Sequence, residues 1–228
     1  MGESFRLMTA NLLHEHGDVD DFSRVLDETR PDVVLVQELG HDCADVLAEL
    51  FPNRLLHPAN HFTGHGLATR FDAVFEELST RGRPAIGAQL DLDGSPLAVV
   101  GLHLLNPLDF PWWVTARTRS VQIEGVFDWL SDRGETSAIV AGDFNSSPAW
   151  PAYRKVATRL TDLVDEWAVA EGREPEPTWG WHVGWPRLLR IDHLFGSGLR
   201  ATEVSVVPIA GSDHAAVIAD LTLTGLRS

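Results

Sequence analysis

The sequence predicts one mixed α/β domain that is not doubly wound, and two observations carry this. Strand-like runs and helical patterns are interspersed without the regular βα alternation that builds a doubly wound sheet. The 228 residues, 44% of them apolar, supply one substantial core, and neither an internal repeat nor a low-complexity tract interrupts it. The whole chain, 1–228, is therefore read as a single domain.

A first strand pattern covers 5–11. Val19, Phe22 and Leu26 then share one face of a helical pattern over 19–29. Residues 32–38 read as a second strand and 41–50 as a second helix. Strand runs follow at 66–78, 86–92 and 97–105, the last two joined by Asp93-Gly94, a pair favoured in tight hairpins. Ile123, Val126, Phe127 and Leu130 mark a long helix over 113–132. A strand at 137–142, a helix at 150–160 and strands at 189–195, 203–208 and 215–223 complete the series.

Polar residues interrupt these apolar strands at their ends. Gly142-Asp143-Phe144-Asn145 follows the strand pattern Ser137 to Ala141 and precedes a proline-tryptophan turn. Side chains alternate along a strand, so Asp143 and Asn145 are expected to point the same way. A carboxylate can activate water or hold a metal, and a neutral amide can donate to a developing anionic oxygen without adding repulsion. Alone, such a tetrapeptide reads equally as a turn in which Asp and Asn satisfy nearby backbone. It has company: Asn11, Glu38 and His103 end earlier strands, Asp192 and His193 lie in Arg190 to Phe195, and Asp213-His214 precede the last strand. An uncompensated charge is costly in such places, so six of them in one small domain point to one shared polar site. Glu38 has no basic neighbour in sequence and is a hard-oxygen donor suited to Mg2+ or Mn2+. The histidines lack zinc-type spacing and there is no cysteine pair, which argues against zinc. Asp192 with His214 reads as an acid-oriented imidazole.

The order Asn11, Gln37-Glu38, His103, Gly142-Asp143-x-Asn145, Ile191-Asp192 and Ser212-Asp213-His214 resembles the endonuclease/exonuclease/phosphatase superfamily. Gly66 to Phe71 and Arg119-x-x-Gln122 extend the resemblance. It implies a four-layer α-β-β-α sandwich, deoxyribonuclease I-like, with two packed sheets of mainly antiparallel or mixed strands and the active site along one edge. It implies a divalent-metal-dependent phosphoester hydrolase that cleaves a P–O bond by in-line attack of water. Within it, Glu38 is the principal metal ligand, Asn11 helps hold it, and Asp213 contacts metal or attacking water. Asp192 orients His214, and His103 binds the scissile phosphate or assists the leaving group. Asp143 is general base or positions the water, and Asn145 meets a phosphate oxygen. Whether Asp143 or His214 takes the proton is left open. Some nuclease branches carry a second acid two positions after the Asn, where this chain has Leu13; Glu15 or Asp18 replaces it only through loop geometry.

Charge and aromatics bear on the substrate. The net charge is −15, with Lys155 the only lysine, whereas sequence-independent DNA binding runs on Lys and Arg. A small or lipid-like phosphodiester or phosphomonoester is therefore preferred to nucleic acid; a DNA- or RNA-cleaving enzyme and a non-catalytic binding module on the same fold are the alternatives. Of eight tryptophans, Trp112, Trp113, Trp150, Trp179, Trp181 and Trp185 lie in or beside loops leaving the polar strand ends. They read as an aromatic rim or as packing between loops, and His61 and His65 join them on either reading. Arg190 reads either as a phosphate partner or as a structural ion pair, and His193 as a core histidine. No apolar run approaches a membrane span, no leader pattern is visible, and the single Cys43 suits a reducing cytosol.

Overall fold

The computed structural model describes residues 3–14, 16–78, 80–108, 111–134 and 137–224, with Trp112 described by its backbone alone. Glu15, residues 109 and 110 and the Trp112 side chain lie outside the described residues.

The chain begins with β1 (Ser4–His14), α1 (Val19–Thr29), β2 (Val33–Leu39) and α2 (His41–Leu50), then β3 (Asn53–His57) and β4 (His65–Thr69). These strands join β13 (Leu199–Pro208) and β14 (Ala215–Leu223) in a six-stranded sheet ordered β13-β14-β1-β2-β4-β3. The second sheet comprises β5 (Asp72–Leu78), β6 (Ala85–Leu92), β7 (Ser95–His103), β8 (Ser137–Asp143), β12 (Asp192–Ser197) and β9 (Thr161–Asp162), in that spatial order. The helices α3 (Trp112–Ser131), α4 (Pro151–Ala157) and α5 (Leu163–Ala170) belong to this half of the chain. A short hairpin, β10 (Trp179–Gly180) with β11 (Arg187–Leu189), forms a separate ladder that touches the first sheet where Trp179 bridges His214 before β14. The expected two-sheet α/β sandwich is what the chain forms.

Alternation along the strands builds the layers. Leu7, Leu35 and Leu67 of the first sheet meet Val99, Ile139 and Leu194 of the second in one cluster between the sheets. Their neighbours Met8, Val34 and Ala68 face the other way, onto Phe22 and Leu26 of α1 and Leu47 of α2. Likewise Ala98, Val100 and Val140 turn outward onto Ile123, Val126 and Phe127 of α3. Helices covering both outer faces explain why all seven residues of β2 are buried, and hence why its sequence is a continuous apolar run.

Several boundaries differ from the sequence reading; the run 189–195, for one, is divided between β11, which ends at Leu189, and β12, which begins at Asp192. The run 66–78 is two strands: the Phe71 N–H donates to Thr69 Oγ1 (3.1 Å) at a turn that passes the chain from the first sheet to the second. Beyond the turn, exposed Asp72, Glu76 and Glu77 mark β5 as an edge strand, the usual way an unpaired sheet margin is protected. The helix of 150–160 is shorter, Pro151–Ala157. Finally β3 and α5 were not expected. The signal for α5 was present in Asp162, whose Oδ1 accepts from Val164 N and Asp165 N as an N-cap. Among the described residues no helix is long and apolar enough to cross a membrane.

Candidate active site

Strand register assembles the centre. His103 pairs across the parallel β7/β8 ladder with Asp143, and Asp192 pairs with Asp143 across the antiparallel β8/β12 ladder. Three reactive side chains thus sit abreast on three adjacent strands, where neighbours in register share a face. From the first sheet, Asn11 near the end of β1, Glu38 in β2 and His214 just before β14 close in from the opposite side. Two glycines permit this. Gly142 has φ +142° and a Cβ there would run into the Leu102 carbonyl; Gly211, φ +83°, passes the His16 carbonyl as closely.

Asp143 is the hub. Its Oδ2 accepts from Asn11 Nδ2 and Asn145 Nδ2, both at 3.1 Å, and its Oδ1 accepts from Asn145 N at 2.7 Å. His103 Nε2 lies 3.2 Å and His214 Nε2 3.9 Å from Oδ2. Burial raises the Asp143 pKa well above the carboxylate range, against the opposing pull of His214. Asn145 reaches Asp143 by a different route from strand alternation: β8 has ended, Asn145 has φ +45°, and its Nδ2 also donates to Leu104 O at 3.0 Å. That amide nitrogen is committed to Asp143 and backbone. Arg119 NH2, donating to the carbonyls of Phe144 (2.9 Å) and Asn145 (3.0 Å), fixes the turn.

His214 Nδ1 donates to Asp192 Oδ2 at 2.8 Å, and Thr178 Oγ1 donates to the same oxygen at 2.6 Å. Burial alone would lower the His214 pKa; the charge and hydrogen bond of Asp192, helped by Asp143 and Asp213, raise it instead. Asp143, Asp192 and His214 offer ligand atoms within 4.8 Å of one another, so this buried trio is one place a metal ion fits. Asp213 Oδ2 accepts from Trp179 Nε1 at 3.0 Å, which leaves its buried Oδ1 without a hydrogen-bond partner among the described residues.

Glu38 is less isolated in space than in sequence. Its Oε2 lies 3.0 Å from His14 Nε2, and its Oε1 lies 3.9 Å from both Arg83 NH1 and His103 Nε2. The expectation of a carboxylate without basic neighbours is corrected: the ends of β1 and β7 and the loop before β6 bring His14, His103 and Arg83 beside it, beyond the reach of local sequence. Asn11 turns its Nδ2 towards Glu38 Oε1 (3.5 Å), while its Oδ1 accepts from Leu13 N (3.0 Å). The amide oxygen is thereby occupied by backbone. Burial, with the charge of Arg83, holds the His103 pKa well below its ordinary value.

A cleft of about 400 Å³ opens over Glu38, Asp143, Asn145, Asp213 and His214. Trp150, Trp179 and Trp181 line it with Leu13 and Leu108. Trp185, Trp113 and His61 are exposed and outside this lining, and half-buried His65 is outside it too. Arg190 is a structural partner: its NH1 donates to Asp162 Oδ2 at 2.7 Å with both side chains buried. His193, fully buried, bonds Ser146 O through Nε2 at 2.7 Å and is a core histidine. The residues that the sequence motifs missed are His14, Arg83 and Thr178.

This arrangement was compared with known proteins. No curated protein matches the chain significantly. Among solved structures, a humanized D. rerio TDP2 superposes with a TM-score of 0.76 at 18% identity, covering 96% of this chain and 99% of that one. The human Nocturnin catalytic domain with bound sulfate gives 0.74 at 19%, covering 98% and 97%. The 3′ phosphatase NExo from Neisseria, bound to product DNA hairpin, gives 0.74 at 20%, covering 94% and 98%. At such identities these likenesses establish the fold. The sequence profile of the Endonuclease/Exonuclease/phosphatase family matches residues 8–214, a span that begins in β1 and ends on His214. With both the profile and the fold in agreement, the chain belongs to the endonuclease/exonuclease/phosphatase family.

Proposed function

We propose that this protein is a divalent-metal-dependent hydrolase of phosphate esters, acting on a small or lipid-like phosphodiester or phosphomonoester. The observation that carries the reading is the hydrogen-bonded set Asp192–His214 facing Asp143 beside Glu38, buried at the base of an open cleft. Asp143, raised by burial, takes the proton of an attacking water. His214, kept cationic by Asp192, faces the negative charge that builds on the phosphoryl oxygens. Asn145 and Asn11 orient Asp143 and are read as positioning groups, because their amide nitrogens already donate to it.

The residues fit a hard cation. Glu38 Oε2 and Asp213 Oδ1 are buried carboxylate oxygens without an aligned hydrogen-bond partner among the described residues, although His14 Nε2 lies 3.0 Å from the first; they are the donor type Mg2+ or Mn2+ takes. Glu38 would be the principal ligand, with Asp213 contributing and Asn11 setting the Glu38 rotamer. The Asp143–Asp192–His214 trio is assigned to proton handling, since His214 Nδ1 is already bonded to Asp192. When bound, the metal would offset charge on the scissile phosphate and the leaving oxygen.

The lipid-like preference rests on the lining of Trp150, Trp179, Trp181, Leu13 and Leu108, and on the net charge of −15. A substrate panel tests it. Hydrolysis of bis-p-nitrophenyl phosphate and of apolar phosphodiesters should proceed with little salt dependence. Plasmid nicking should be slower, and should fall steeply between low and moderate salt if it depends on phosphate neutralisation. Efficient nicking with weak small-ester turnover would instead make the protein a nuclease.

A further inference from the structure

The loop between β5 and β6 brings into the cleft a cation that none of the strand-end motifs includes. The Arg83 carbonyl accepts from Thr80 Oγ1 (2.8 Å) and from Gln122 Nε2 of α3 (2.9 Å). The residue is buried, and the Phe62 ring lies 4.9 Å from the guanidinium carbon. These contacts aim NH1 at His103 Nδ1, 2.8 Å away.

A guanidinium only donates, so the nitrogen it meets must accept. His103 Nδ1 therefore carries a lone pair and the ring proton sits on Nε2. That Nε2 is buried and has no aligned hydrogen-bond partner, although Asp143 Oδ2 lies 3.2 Å away. Among the described residues this buried donor is left unmatched, which is unusual in a native interior; it adjoins Arg83 and Asp143, which line the cleft, and a ligand oxygen reaching between them would satisfy it. His214 is held the other way round, with its Nδ1 proton on Asp192.

We infer that Arg83 is a positioning residue that fixes His103 as the neutral Nε2–H tautomer, and that this N–H is reserved for a non-bridging oxygen of the substrate's phosphoryl group. His103 then binds the phosphoryl group and does not deliver a proton to the leaving oxygen. The second half of this inference rests on the phosphoester hydrolase reading; the tautomer does not.

Two measurements test the two halves separately. Long-range ¹H–¹⁵N NMR of the metal-free protein near neutral pH reports the His103 tautomer without any substrate. The wild type should show a protonated Nε2 with an accepting Nδ1. Arg83→Met should lose that fixed pattern while remaining folded, and Arg83→Lys, which also only donates, should restore it in part. A wild-type ring protonated at Nδ1, or an unchanged pattern in a folded Arg83→Met, overturns the positioning role. The second measurement compares His103→Gln and His103→Leu on esters with a p-nitrophenolate and with an alkoxide leaving group. Losing one oxyanion-type donor costs on the order of 10²-fold in kcat, so His103→Leu should lose about that on both esters. His103→Gln, whose amide still donates, should lose less, by the same factor on both. A deficit confined to the alkoxide ester means that His103 protonates the leaving group, and overturns the inference.

Discussion

His103 and His214 sit either side of one carboxylate oxygen and are held by opposite charges: a guanidinium keeps a lone pair on Nδ1 of the first, and a carboxylate accepts from Nδ1–H of the second. His214→Ala should lower kcat by roughly 10²- to 10⁴-fold, the scale of a positioned acid–base or charged group. If Asp192 acts through His214, to which it is hydrogen-bonded, adding Asp192→Asn to that variant should cost little more, whereas fully additive losses in kcat would show that they work independently. The pH profile follows from the same contacts. Asp143 must be ionised to take a proton, and burial raises its pKa from 3.8, so the acid limb of kcat should lie above the carboxylate range. His214 must stay protonated, and Asp192 raises its pKa from 6.5, so activity should persist through neutrality and fall only on the alkaline side. An acid limb near pH 4 would contradict the assignment. At this scale much was legible, because a charge at the end of an apolar strand announces itself. Arg83 and His14 were not, since Arg83 lies in a loop without periodicity, His14 lies beyond the strand pattern read at 5–11, and only folding brings them to Glu38. The route by which Asn145 meets Asp143 was not legible for a related reason: the strand stops before it, so alternation no longer applies.

Elements hold the site by buried pairs outside the cleft. Asp162 caps α5, accepts from Tyr153 Oη at 3.0 Å and pairs with Arg190, one residue before Ile191 and two before Asp192. Asp162→Asn would leave a buried guanidinium without its carboxylate, a loss of about 3 kcal/mol in chemical denaturation. Burial opposes the Asp162 charge, yet His193 and Arg190 lower its pKa below 3.8 in the folded state. A lowered folded pKa means stability that is present above the unfolded value and lost as pH falls through the folded one. The wild type should therefore lose stability below pH 3.8 more steeply than Asp162→Asn, and equal acid sensitivity would show that the pair carries none of it. Strands and long helices were readable from their periods. The short pieces β3, β9, β10 and β11 were not, because two to five residues are too few to display one. At the cleft wall, Trp181 is 61% exposed and contacts the Trp179 ring at 5.6 Å between centroids. Trp181→Ala should raise KM for a bulky apolar ester by about five-fold, the worth of one aromatic contact, with little change for dimethyl phosphate. Equal effects on both esters would remove Trp181 from substrate binding.

Over the whole molecule, the two sheets act as a clamp: one supplies Asn11 and Glu38, the other His103, Asp143 and Asp192, and His214 closes the gap from the loop before β14. The layers were foreseeable from apolar alternation and from the resemblance carried by the strand-end residues. Which strand joins which sheet was not, because the crossing at Thr69–Phe71, where Phe71 N donates to Thr69 Oγ1, falls inside a single strand-like run. Net charge acts at this scale too, and −15 argues that substrate is captured by local contacts in the cleft more than by long-range attraction of phosphate. Metal dependence is the central claim, and it is tested most directly by hydrolysis of bis-p-nitrophenyl phosphate by chelator-stripped protein titrated with Mg2+ and Mn2+, beside Glu38→Gln under the same conditions. Activity should vanish on stripping and return saturably with either ion in the wild type, while Glu38→Gln stays folded and gains little. Undiminished turnover in the stripped wild type, or full recovery in Glu38→Gln, would contradict it.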